Sequence, residues 1–130
     1  MKYILLILVI IIMVFTNLNK THTLYGKTAK TSEQKRNGLM YRKDKLQDKE
    51  GMLFVMGEGN NSVWMKNTYI SLDVIFLDSD MMVVGYKQNT EPLSTTSISI
   101  NKISSYILEM NSGSVTTIGI SIGDRILFNE

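Results

Sequence analysis

Lys66, Asn67, Thr68 and Asp73 fall within eight residues, and Trp64 stands two positions before Lys66. A cation, an amide, a hydroxyl and a carboxylate this close together, beside an indole, suit a surface that binds a polar ligand. Arg42 adds a planar guanidinium that can meet a carboxylate or phosphate through two parallel hydrogen bonds. Alternation along a strand over Ser62–Asn67 would set Trp64, Lys66 and Thr68 on one face and Met65 and Asn67 on the other. A purely structural use of the same residues is open as well. Asn67 and Thr68 suit a turn that bonds its own backbone, Arg42 and Asp73 suit an ion pair, and Trp64 suits a core with its N–H satisfied.

Other chemistry is excluded or poorly supplied. The chain has no cysteine, so it carries no disulfide, thiolate nucleophile or cysteine metal site. His22 is the one histidine and falls in a polar stretch that reads as a linker, which argues against a Ser-His-Asp relay. Asp73, Asp78, Asp80 and Asp124 are the carboxylates left for a hard cation, but Asp78-Ser79-Asp80 lacks the twelve-residue calcium-loop pattern. No glycine-rich phosphate loop is present. Neither a metal nor a cofactor is expected, and no catalytic residue is assigned.

The 130 residues suffice for one domain. Net charge is +2, too small to imply a nucleic-acid partner. Lys20–Lys66 nevertheless holds 10 basic and 5 acidic residues, and Asn67–Glu130 holds 3 basic and 7 acidic. Nine methionines, Met40, Met52, Met56 and Met65 among them, suit core filling or a soft pocket.

The elements that would position these residues are mostly strands. His22–Ala29 is a candidate first strand. Thr31–Gly38 reads as a short helix: Thr31 as N-cap with Gln34 completing a capping box, Glu33 in the first turn, Lys35 and Arg36 in the last, and Gly38 as the stop. Met52–Met56 and Ser62–Asn67 follow as short strand-like runs. Ile70–Leu77 is the clearest strand and alternates so weakly that both faces should be covered. Asp78-Ser79-Asp80 turns it into Met81–Tyr86 as a hairpin. Asn89–Thr96 is a loop with the one proline, Pro92. Tyr106–Met110 and Arg125–Phe128 are the last strands, the first ending in the turn Asn111-Ser112-Gly113. The expected fold is therefore mainly β: a compact small barrel or sandwich of about seven short strands with one short helix, behind an N-terminal hydrophobic helix. One short helix leaves no crossovers for parallel strands.

Gly38-Leu39-Met40-Tyr41-Arg42, Gly51-Met52-Leu53-Phe54, Trp64-Met65-Lys66-Asn67-Thr68 and Leu72-Asp73-Val74-Ile75-Phe76-Leu77 occur in that order, followed by Leu108-Glu109-Met110-Asn111-Ser112-Gly113 and Gly123-Asp124-Arg125. In order and spacing these segments resemble the domain of unknown function 192 family, whose pattern runs GLM-x-R, GMLF, WMKNT and then LD before an apolar strand. The likeness covers about Leu24–Phe128. It implies a compact, mainly β domain, commonly behind a signal or anchor, and it implies no activity. Asp78-Ser79-Asp80-Met81 departs from the family's usual Asp-Gly turn, Ile70-Ser71 from its isoleucine-proline, and the Asn89–Thr96 loop is poorer in proline. These departures touch loop geometry and none of the polar motif residues.

Tyr3–Phe15 is an unbroken apolar run after Met1-Lys2. It reads as a signal anchor or a cleaved signal peptide over residues 1–18, with 19–23 as a linker and 24–130 as the domain. The absence of a small-x-small site after Phe15 favours the anchor. An exported domain, membrane-anchored or secreted, is therefore expected. The functional expectation is an uncharacterised binding or accessory module with a membrane partner through its N-terminus and an unknown small ligand or protein partner. Arg42, Trp64, Lys66, Asn67, Thr68 and Asp73 are its candidate site. The alternative is an enzyme with a polar cleft around Arg42, Lys66 and Asp73.

Overall fold

A computed structural model describes residues 1–16 and 18–130. Asn17, inside the expected leader, lies outside the described residues. The order of elements is α1 (Lys2–Thr16), β1 (Thr21–Ala29), α2 (Ser32–Asn37), β2 (Glu50–Gly59), β3 (Leu72–Leu77), β4 (Val83–Lys87), β5 (Ser104–Asn111), α3 (Ser114–Ile118) and β6 (Arg125–Asn129).

The six strands form one sheet in the order β4-β3-β5-β2-β1-β6. The sheet curls into a half-barrel, and its two edges meet at a bridge between Met82 and Arg125. The mainly β class is as the sequence implies. The strand count is six rather than seven, and Ser62–Asn67 is a loop that touches Ile98 through a single bridge at Val63. Parallel pairing also occurs where none was expected. β1 runs parallel to both β2 and β6. Residues 30–49, which carry α2, supply the crossover from β1 to β2. Gly26 and Gly51 face each other in that pairing, where a Cβ on Gly26 would lie 1.8 Å from the Gly51 carbonyl oxygen.

The α2 helix forms as its residues dictate. Thr31 caps the Gln34 N–H, the Gln34 side chain returns to the Thr31 N–H, and Gly38 ends the helix at φ 44°. The β3–β4 hairpin forms as well. Every residue of β3 is buried, because the sheet is covered on both faces. One face holds Leu24, Leu53, Ile75, Leu108, Met110 and Ile126, with Val115 of α3 packed on them. The other holds Phe54, Val74, Phe76 and Ile107, flanked by Leu39, Leu46, Met65 and Leu72.

The N-terminal helix α1 exposes its residues 3–11. Its 15 residues extend about 22 Å at ~1.5 Å per residue, against about 30 Å of bilayer hydrocarbon. No described helix is long and apolar enough to cross a membrane, so the expected transmembrane helix is not found. β1 already begins at Thr21, inside the stretch expected as a linker.

Candidate functional site

The loop Ser62–Thr68 folds back over the sheet face that carries Phe54, Val74 and Ile107. Met65 is its anchor and is fully buried. The Met65 N–H donates to Ser94 O at 2.9 Å, and the Thr68 N–H donates to Met65 O at 3.1 Å. Asn67 sits at φ 54°, and the Thr68 hydroxyl donates to Lys66 O at 3.1 Å. Asn67 and Thr68 thus form a self-bonded turn rather than the end of a strand. Thr68 is buried, while Trp64 and Lys66 stay exposed, so the expected alternation does not hold.

Beneath this loop lies a cavity of about 230 Å³. Its floor and wall include Leu39, Phe54, Thr68 and Glu109, and Trp64 stands at its mouth with Lys35 and Arg36. The α2 C-terminus shapes one side. Gly38 turns there at a positive φ with Phe54 Cζ 3.1 Å from where a Cβ would sit, so a side chain at this position would be strained and would crowd the cavity wall.

The position the sequence does not reveal is Glu109. It lies at the centre of the sheet, paired in register with Met52 on one side and Val74 on the other. Alternation sends it to the face of Ile107 and Phe54, under the loop. Its exposure is 5%. No hydrogen bond or ion pair from a described residue reaches the carboxyl, and burial pushes its pKa up to about 8. The group is therefore mostly protonated at neutral pH. Within a β segment, a single glutamate between Leu108 and Met110 reads as a solvent-facing residue, which is why it goes unnoticed.

The other expected site residues divide. Trp64 and Thr68 line the cavity. The Lys66 ammonium rests 5.1 Å from the Trp64 ring centroid. Asn67 reaches sideways, its Nδ2 donating to the Tyr41 hydroxyl at 3.0 Å. Arg42 is turned to its own loop, with Nε donating to Asp44 O at 2.9 Å. Asp73 is fully buried on the opposite face of the sheet, where its oxygens accept the N–H groups of Asn89 and Val115 at 3.0 and 2.9 Å. The cleft joining Arg42, Lys66 and Asp73 does not form, and neither does an Arg42–Asp73 ion pair among the described residues.

His22 is not in a linker. It belongs to β1, and its Nε2 lies 2.8 Å from Asp124 Oδ2. Asp124 also accepts the N–H groups of Lys20 and Ser121. Burial raises the Asp124 pKa, but the His22 bond, the two N–H bonds and the His22 charge outweigh it, leaving the carboxyl below its ordinary value. No group of three or more His, Asp or Glu side chains gathers around a possible metal position among the described residues.

Comparison with known proteins agrees with the family resemblance. The model of the DUF192 family, described as "Uncharacterized ACR", matches residues 14–128. Two solved structures resemble the chain. One is a protein of Sinorhizobium meliloti 1021 described as a candidate transcription regulator, 37% identical, covering 77% of this chain and 78% of its own, with a TM-score of 0.74. The other is a protein of unknown function from Novosphingobium aromaticivorans DSM 12444, 34% identical over 77% of this chain and 71% of its own, with a TM-score of 0.70. No curated protein matches the chain. The chain belongs to the DUF192 family.

Proposed function

We propose that this DUF192 domain is a small-molecule-binding module whose ligand enters the cavity under the Ser62–Thr68 loop. One observation carries this reading. Four segments far apart in sequence, GLMYR, GMLF, WMKNT and LEMNSG, each send a residue to the same cavity: Leu39, Phe54, Trp64 and Glu109. A fold needs no solvent-accessible void beneath a loop, and a buried unpaired carboxyl costs stability, so an arrangement that keeps both suits a binding site. Trp64, Lys66, Asn67 and Thr68 make the ligand-facing loop, while Arg42 and Asp73 hold other loops and stay outside the site. The test is a fragment screen by proton–nitrogen correlation spectra of the labelled domain. Fragments that shift Trp64, Thr68 and Glu109 together, and lose the effect in Trp64→Ala, support the reading. A screen in which no fragment perturbs these residues overturns it.

The exposed apolar α1 supports a leader role over residues 1–18, which would place the domain beyond or at a membrane. At 15 residues it suits the apolar part of a signal peptide. Mass measurement of the protein recovered from its native host decides whether the leader is removed. The regulator description belongs to the Sinorhizobium protein, and a net charge of +2 gives no basis for extending nucleic-acid binding to this chain.

A further inference from the structure

Resting on the cavity reading above, we propose that the ligand is a small zwitterion of the amino-acid type, its ammonium group held by Glu109 and its carboxylate by the Lys35–Arg36 rim. Every fully enclosed polar side-chain atom among the described residues has a partner. The carboxyl of Glu109 has none, and it lines the cavity. It is thus a buried acceptor open to the cavity, and a cation is the partner that a buried carboxylate lacks.

The rim carries the opposite charge. Lys35 and Arg36 stand at the mouth, and Lys35 Nζ is fixed there by a bond to Val55 O at 3.2 Å. A simple amine would meet one negative group and two positive ones. A ligand with an anionic end as well matches all three. Leu39, Phe54 and Val63 give the lining an apolar part, beside the hydroxyls of Ser62 and Thr68, which suits a short aliphatic body between two polar ends. The volume, about 230 Å³, equals roughly seven or eight waters at ~30 Å³ each, the scale of a single amino acid rather than a nucleotide or an oligosaccharide.

The chemistry predicts a proton balance. In the ligand-free domain Glu109 carries its proton at pH 7. When an ammonium group arrives, Glu109 ionises and the proton leaves to buffer, so binding releases nearly one proton per site. A neutral hydrogen-bonding ligand releases none.

L-leucine, isopentylamine and 4-methylpentanoate share the same branched five-carbon chain and carry both charges, the cation alone and the anion alone. Titration calorimetry of the full chain in buffers of different ionisation enthalpy is expected to show leucine binding at least about tenfold tighter than either partial analogue, with proton release. Glu109→Gln, which keeps the volume, should remove the proton release and weaken leucine and isopentylamine by about tenfold or more while sparing 4-methylpentanoate. Arg36→Gln should weaken leucine and 4-methylpentanoate and spare isopentylamine. If 4-methylpentanoate binds as well as leucine, or Glu109→Gln leaves leucine unaffected, the ligand class is wrong while the cavity stands. If none of the three probes shifts Trp64, Thr68 or Glu109, the zwitterion proposal falls, and the fragment screen separately decides whether the cavity reading falls with it.

Discussion

Asp73 Oδ2 accepts the backbone N–H of Val115 at 2.9 Å, tying the middle of the sheet to the first turn of α3. Its other oxygen holds Asn89, which sits at φ 53°. The carboxylate that most resembles a catalytic group in the sequence is therefore a clasp for two loops. Asp73→Ala would leave the buried Val115 N–H without an acceptor, at a cost of about 1–3 kcal/mol, and would free the part-buried Asn89 N–H at a smaller cost. Urea unfolding should show a loss of a few kcal/mol, with the Trp64 environment of the folded protein unchanged. A neutral effect on stability would return Asp73 to the list of functional residues.

Glu109 sets a pH dependence of the opposite sign to an ordinary carboxylate. In the unfolded chain it ionises near 4.5, and in the folded chain only near 8. Between those values the folded state holds the proton and the unfolded state releases it, so stability falls as pH rises through that window. The full effect is on the order of 5 kcal/mol at about 1.4 kcal/mol per pKa unit. Glu109→Gln should flatten the profile, matching the parent near pH 4 and exceeding it above pH 8. Thermal unfolding across pH 4–9 measures this, and parallel profiles for the two proteins would remove the buried charge from the account.

Asp124 acts in the usual direction. Its folded pKa lies below the ordinary value, so its contribution is present above pH ~4 and is lost as pH falls through the folded pKa. His22, Lys20 and Ser121 converge on it where β1 meets β6. Asp124→Asn keeps one acceptor oxygen and loses the charge, and about 1–3 kcal/mol at pH 7 is the expected cost. The acid limb of the stability curve should shorten in the variant. An unaltered acid limb would show that other carboxylates govern acid unfolding.

How much of this was legible beforehand depends on the range of the interaction. The α2 cap, the β3–β4 hairpin and the doubly buried β3 are local patterns, and they appear in the sequence as they appear in the fold. The parallel pairing of β1 with β2 and β6 is set by residues about 25 to 100 positions apart, and nothing within Thr21–Ala29 marks it. The α3 helix has five residues and a glycine at each end, so it reads as a turn. The Ser62–Thr68 segment looks like a strand because Val63, Trp64 and Met65 suit one, yet tertiary contacts bury Met65 and hold the rest as a loop. The site was half legible for the same reason: Trp64 and Thr68 stand out by type, whereas Glu109 matters only because this loop covers it.

Trp64 offers a direct readout, because it is the single tryptophan in the chain and it stands at the cavity mouth. The residue is 44% exposed, and its ring lies 5.1 Å from the Lys66 ammonium. An exposed contact of this kind contributes about 0.5–1 kcal/mol. Lys66→Met should therefore change unfolding free energy by less than about 1 kcal/mol and still alter the emission of Trp64, since a charge beside the ring is gone. Ligand entry should change the emission as well, because the rim loses water when the cavity fills. If Lys66→Met leaves emission untouched, the ammonium does not rest on the ring in solution. The rim would then present an uncovered indole, and the ligand would meet Lys66 elsewhere.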